Sequence, residues 1–196
     1  MAGSSEAEPK TPDQVLEIVR TFEAPRPLLF RIWAEPAHRV RWWGPEGYGL
    51  SHCEVDFRIG GAWSVAMQRI DGYEHWVRGI FTDIREPSRL CFTYVNDDDP
   101  HEMLVEMDFI DLGARTEMRF RQAPFHSREE RDGHSWGWNS TLDLLAASVR
   151  QVSQDDPRPV GSARIDGVAA DIIAARERYE QERQAAQNSR NSKQGG

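Results

Sequence analysis

Between Ser127 and Arg150, Trp138, Leu142, Leu145 and Val149 recur at i, i+4, i+7 and i+11, the spacing of one stripe on an α-helix. Ser127 and Glu130 have the spacing of a capping box at its start. Gly133 and Gly137 weaken its first half by about 1 kcal/mol each. At ~1.5 Å per residue, a helix of this length reaches about 36 Å, enough to cross a whole sheet. A helix with one apolar stripe has to bury it against another layer, so the preceding chain must supply a broad apolar face.

That chain changes period several times. Leu16–Phe22 is a short extended run, and Ala24-Pro25 then opens a helix through Leu28, Leu29, Ile32 and Trp33. The prolines stand near the start, where a missing N–H costs little. Pro36 ends this helix and starts a further turn, Ala37–Trp42, before Gly44-Pro45 and Gly47 break the chain. Strand-like runs follow at 50–58, 61–69, 73–85, 89–95 and 103–122. The last is too long for one strand, and Asp111-Leu112-Gly113-Ala114 reads as its hairpin turn. The order predicts an α+β fold: a curved seven-stranded antiparallel sheet gripping a long C-terminal helix, with two short helices after the first strand.

All seven Trp and all eight Phe fall within 15–150, so the core belongs there. Residues 1–14 read as a disordered arm and 151–163 as a Pro/Gly/Asp linker. Residues 164–187 carry Ile165, Val168, Ile172 and Tyr179 near helical spacing, and 188–196 read as a disordered tail. Residues 13–152 are expected to fold alone. The net charge of −8 argues against a general nucleic-acid binder, which needs clustered positive charge. No apolar run approaches the ~20 residues of a membrane span. The N-terminus lacks an apolar secretory stretch, which points to the cytoplasm. Cys53 and Cys91 are then expected as reduced, buried thiols. The skew of 22 Arg to 2 Lys suggests the codon usage of a GC-rich, bacterial genome.

An ordered set of motifs carries a resemblance. It comprises Ala24-Pro25, Trp33, Trp42–Pro45 (WWGP), Glu54–Trp63 (EVDFRIGGAW), Asp71-Gly72, Gly79, Glu86–Leu90 (EPSRL) and Gly137–Ala146. Over about residues 15–150 the chain resembles the SRPBCC proteins related to the activator of heat shock protein 90 ATPase homologue. These belong to the START and birch-pollen-allergen superfamily with the helix-grip fold. The resemblance implies an apolar cavity between sheet and long helix and leaves function open, because one fold hosts many functions. It implies lipid or polyketide binders, cyclases and co-chaperone modules as the alternatives.

Gly60-Gly61 reads as a tight turn, and Trp42-Trp43 as either a packed plug or a ligand contact. Glu54, Asp56 and Arg58 share a strand face opposite Val55 and Phe57, and read as solvated charges rather than acid–base machinery. The histidines form no HxH, HxxxH or HExxH, so neither a local metal site nor a cofactor is expected. No GxSxG or phosphate loop is present, and no catalytic residue is assigned. His75, between Tyr73 and Trp76, is the best candidate for chemistry, with Tyr94 and Arg78 as the other options. The cavity candidates are Trp43, Trp63, Met67, His75, Tyr94, Met107, Met118, Trp138 and Leu142. Alternation alone does not separate a filled core from a hollow one.

The leading expectation is a small-molecule binder for an apolar or aromatic ligand, with His75 or Tyr94 as polar anchors. A cyclase- or hydrolase-like enzyme in the same cavity is the first alternative. A co-chaperone-like or regulatory interaction module is the second, and homodimer and chaperone contacts stay open.

Overall fold

The computed structural model describes residues 12–155. The strands are β1 (Leu16–Phe22), β2 (Tyr48–Val55), β3 (Ala62–Arg69), β4 (Glu74–Arg85), β5 (Arg89–Asn96), β6 (Glu102–Asp111) and β7 (Thr116–Ala123). Two short helices, α1 (Arg26–Ala34) and α2 (Pro36–Arg39), follow β1, and α3 (Arg128–Asp155) closes the domain. The strands form one antiparallel sheet in the order β1-β7-β6-β5-β4-β3-β2. This is the expected helix-grip α+β architecture.

Period-2 alternation explains the inner face. Trp63, Val65 and Met67 of β3, Phe92 and Tyr94 of β5, Met103, Val105, Met107 and Phe109 of β6, and Met118 and Phe120 of β7 are all buried. The register sets Phe109 against Met118 and Met107 against Phe120, so the apolar row is continuous across strands. Against it lies the α3 stripe of Trp138, Leu142, Leu145 and Val149, all buried. Arg20 of β1 ties the helix down through Asp143 at 2.5 Å and Asn139 at 3.1 Å.

Local chemistry sets the boundaries. Pro25 precedes α1 and Pro36 begins α2. Gly60 takes φ +78°, the left-handed conformation that a side chain disfavours. Between β6 and β7, Leu112 N–H donates to the Arg115 carbonyl at 3.0 Å, closing the expected hairpin turn. At the start of α3, Glu130 N–H donates to Ser127 Oγ at 3.2 Å. Glu130 itself reaches His126 N–H at 2.7 Å rather than that of Ser127, so the capping box is shifted by one residue. At Gly79, a Cβ would stand 1.7 Å from the Thr93 carbonyl oxygen and 2.7 Å from Trp63 Nε1, so only glycine lets strand and indole approach there.

Several boundaries differ from the sequence reading. The strand expected at 50–58 spans Tyr48–Val55, so Asp56, Phe57 and Arg58 lie in the connection to β3 and not on a strand face. The arm assigned to 1–14 ends in a 3₁₀ turn, Pro12–Gln14, fastened by Phe125 N–H to the Gln14 carbonyl at 3.1 Å. The linker assigned from 151 starts later, because α3 runs on to Asp155 and buries Val152. The apolar stripe continues one further turn past Val149, and that burial outweighs the polar composition. The rest of the linker, the 164–187 helix and the tail lie outside the described residues. All seven strands, α1 and α3 join one core, so a chain ending at Asp155 is expected to unfold cooperatively with the same urea midpoint as the full chain. A broad or lost transition would place part of the folding unit beyond that point.

Candidate functional site

A cavity of about 260 Å³ lies between the inner sheet face and the first half of α3. Its floor is Met67 of β3, His75 of β4 and Tyr94 of β5. One wall is the segment after α2, with Trp43, Pro45 and Tyr48; the other is α3, with His134, Trp138 and Thr141. Glu46 N–H donates to Ser140 Oγ at 2.8 Å, joining the two walls. Two lining aromatics stand in solvent at the rim, Tyr73 at 47% exposure and Trp136 at 63%. Gly133 and Gly137 also line the cavity, and a Cβ at either would meet no atom within 4 Å. The two helix-weakening glycines thus stand one turn apart where the helix borders open space.

Of the expected cavity residues, Trp43, Met67, His75, Tyr94 and Trp138 line this space. Trp63, Met107, Met118 and Leu142 are not among its lining residues; they are packed in the core. All four sit on inward positions, and neighbouring rings and aliphatic chains fill the volume in front of them: Trp63, for instance, packs on Trp43 at 5.5 Å and Phe92 at 5.2 Å. The tryptophan pair divides its roles. Trp42 is buried, with Nε1–H donating to the Ile32 carbonyl at 3.3 Å, while Trp43 is both core and cavity wall.

Sequence reasoning missed Gln122 and His134. Gln122 is fully buried on the inward row of β7. Its Oε1 accepts Trp138 Nε1–H at 2.8 Å and stands 3.2 Å from His134 Nδ1. Both residues left a signal: Gln122 continues the Met118–Phe120 alternation, and His134 precedes Trp138 by one helical turn. Burial lowers the His134 pKa to about 4, so its imidazole is neutral at physiological pH. Tyr94 is buried, and burial raises its phenol pKa, keeping the hydroxyl protonated. His75 Nδ1 stands 3.7 Å from Asp98 Oδ2, and Arg78 pairs with Asp97.

Other reactive groups are quiet. Cys53 and Cys91 are buried and free, and burial pushes the Cys53 thiol up and Cys91 up to about 11. Neither offers a thiolate nucleophile near neutral pH. Behind Trp43, the buried Arg39 guanidinium sits 5.0 Å from the indole and donates to the Trp33 carbonyl at 2.6 Å. Burial lowers its pKa to about 10. In the β2–β3 connection Arg58 pairs with Asp56 at 2.8 Å in the open, and Glu54 on β2 is exposed, as expected for solvated charges. Among the described residues, no group of three or more His, Cys, Asp or Glu can hold a metal ion. None of the described helices is long and apolar enough to cross a membrane.

One family model, described as activator of Hsp90 ATPase homolog 1-like protein, matches residues 23–150. The chain belongs to this family. Several proteins of known structure are similar to this AHSA1-like domain. A protein from Nitrosomonas europaea shares 23% identity over 74% of this chain and 99% of its own, with a TM-score of 0.64. The AHSA1 protein from Silicibacter pomeroyi shares 26% over 70% of this chain and 98% of its own, at 0.63. A protein from Arthrobacter aurescens shares 24% over 71% and 87%, also at 0.63. No curated protein matches the chain. The AHSA1-like fold is that of a ligand-binding helix-grip domain in general terms.

Proposed function

We propose that this chain binds a small apolar or aromatic molecule in the cavity beneath α3, as a bacterial, cytoplasmic binding protein. The observation that carries this reading is the pair Gly133 and Gly137. A helix that only had to cover the sheet would gain about 1 kcal/mol from alanine at each position. Here both glycines line the cavity together with Trp136 and Trp138, and a Cβ at either would meet no atom within 4 Å. A volume of about 260 Å³ suits a one- or two-ring compound, at the small end of ligand pockets. Exposed Trp136 and Tyr73 give an entering ring something to stack on.

Gly137→Leu tests this. The new side chain enters unoccupied space and removes a helix-weakening glycine, so stability should hold or rise by about 1 kcal/mol. Affinity for 1-aminonaphthalene, a two-ring probe followed by its fluorescence, should fall at least about tenfold as the cavity is filled. Unchanged probe affinity in a folded variant would remove the ligand from this cavity.

A second reading rests on His75, whose imidazole lies at the cavity floor within 3.7 Å of an Asp98 carboxylate oxygen. A histidine oriented by a carboxylate is the minimum for general acid–base work in a cyclase- or hydrolase-like reaction. Product analysis of each bound compound separates the two. A product that vanishes in His75→Ala with folding intact would replace the binder with an enzyme.

A further inference from the structure

The hydrogen-bond chain on the cavity wall has a direction. Trp138 Nε1–H can only donate, so the Gln122 atom 2.8 Å away is the amide oxygen. The other end agrees, since Gln122 Nε2–H points at Met103 Sδ, a weak acceptor, at 3.4 Å. An amide oxygen cannot donate, so His134 Nδ1, at 3.2 Å from the same atom, carries the proton. In a neutral imidazole the second nitrogen is then a bare acceptor. Nε2 makes no hydrogen bond within the described residues, nor is it among the sealed unpartnered atoms. The ring itself lines the cavity, braced edge-on by Tyr94 at 5.5 Å and Phe125 at 5.1 Å.

The Tyr94 hydroxyl likewise has no hydrogen-bond partner among the described residues and opens on the same space. No guanidinium among the described residues lines the cavity; the buried Arg39 sits 5.0 Å from the Trp43 ring and is not a lining residue. The site thus offers an acceptor lone pair and a neutral hydroxyl beside the apolar Trp43, Met67 and Trp138; no Arg or Lys among the described residues lines it, and His75 on its floor already faces the Asp98 carboxylate at 3.7 Å. We propose that the cavity selects neutral aromatic ligands bearing a hydrogen-bond donor, a phenol-type hydroxyl above all, which donates to His134 Nε2. This rests on the binding reading and adds the ligand's polar group.

Calorimetric titration of the full chain with 2-naphthol and with 2-methoxynaphthalene tests it, because the ether keeps the rings and loses the donor. The naphthol should bind about tenfold more tightly, the worth of one well-formed hydrogen bond in a dry site. His134→Phe should erase the preference, so that naphthol and ether bind that variant equally. Nitrogen-15 shifts of His134 in the parent protein give a reading that does not depend on that variant's folding. Nδ1 should be protonated and Nε2 bare, with Nε2 moving upfield when naphthol is added. Equal affinities, or the inverted tautomer, overturn the donor preference and leave the binding reading standing. No saturable binding of either compound overturns both.

Discussion

Trp138→Ala is expected to lower the unfolding free energy by about 3–5 kcal/mol, the cost of truncating a large buried aromatic side chain. Trp138 is buried, and its ring stands 4.7 Å from Phe120, 5.5 Å from Trp43 and 6.3 Å from Trp33. The variant also strips a donor from the Gln122 amide oxygen, which is buried with its residue. Leaving a buried acceptor short of a partner adds to the cost. One side of the indole borders the cavity, so water can fill part of the void and keep the loss near the lower end. Urea unfolding of both chains measures it. Parent-like stability with lost probe affinity would make Trp138 a cavity wall alone, and parent-like stability with intact affinity would contradict the packing of α3 on the sheet.

Acid should weaken the fold through His134. Its pKa is about 4 in the folded chain against 6.5 for the free side chain. Between those values the unfolded chain binds the proton and the folded one does not, so stability rises with pH there. The contribution is fully present above about pH 6.5 and is lost progressively as pH falls toward 4. At 1.36 kcal/mol per unit, the full loss is about 3 kcal/mol. The cause is burial against Tyr94 and Phe125, which disfavours the imidazolium, with Glu130 opposing it only in part. Other carboxylates titrate over part of the same range, so the informative quantity is the difference between the parent and His134→Phe. Urea midpoints from pH 7 to 4.5 should converge or cross, because only the parent carries this slope. Parallel curves would mean that the imidazole is charged in the folded state.

How much of this was legible beforehand follows the range of the forces involved. Strands and helices came from neighbours in the chain. Alternation marked β3, β5, β6 and β7, Pro25 and Pro36 marked the helix starts, and the hairpin turn at 111–114 showed in its own residues. The stripe of Trp138, Leu142, Leu145 and Val149 identified the helix face, since 3.6-residue periodicity is a property of the helix itself. Burial of Trp63, Met107 and Met118 was equally readable, because inward strand positions share a parity, and that of Leu142 followed from the helix stripe.

What no pattern in one chain can state is whether the volume in front of an inward residue is occupied, and by what. That depends on which rings arrive from β5, α1 and α3, and packing fills the space before the four buried candidates while leaving it open beside Gly133 and Gly137. The polar wall is likewise a tertiary product. Gln122, His134 and Trp138 are twelve to sixteen residues apart in pairs that include Gln122, and they meet only because α3 lies across β7 in one register. Composition and periodicity determined the layers, since local geometry and burial of apolar surface suffice for that. The cavity, the neutral imidazole and the direction of its hydrogen bonds were decided by the tertiary structure, because desolvation and donor–acceptor order exist only once those side chains are packed together.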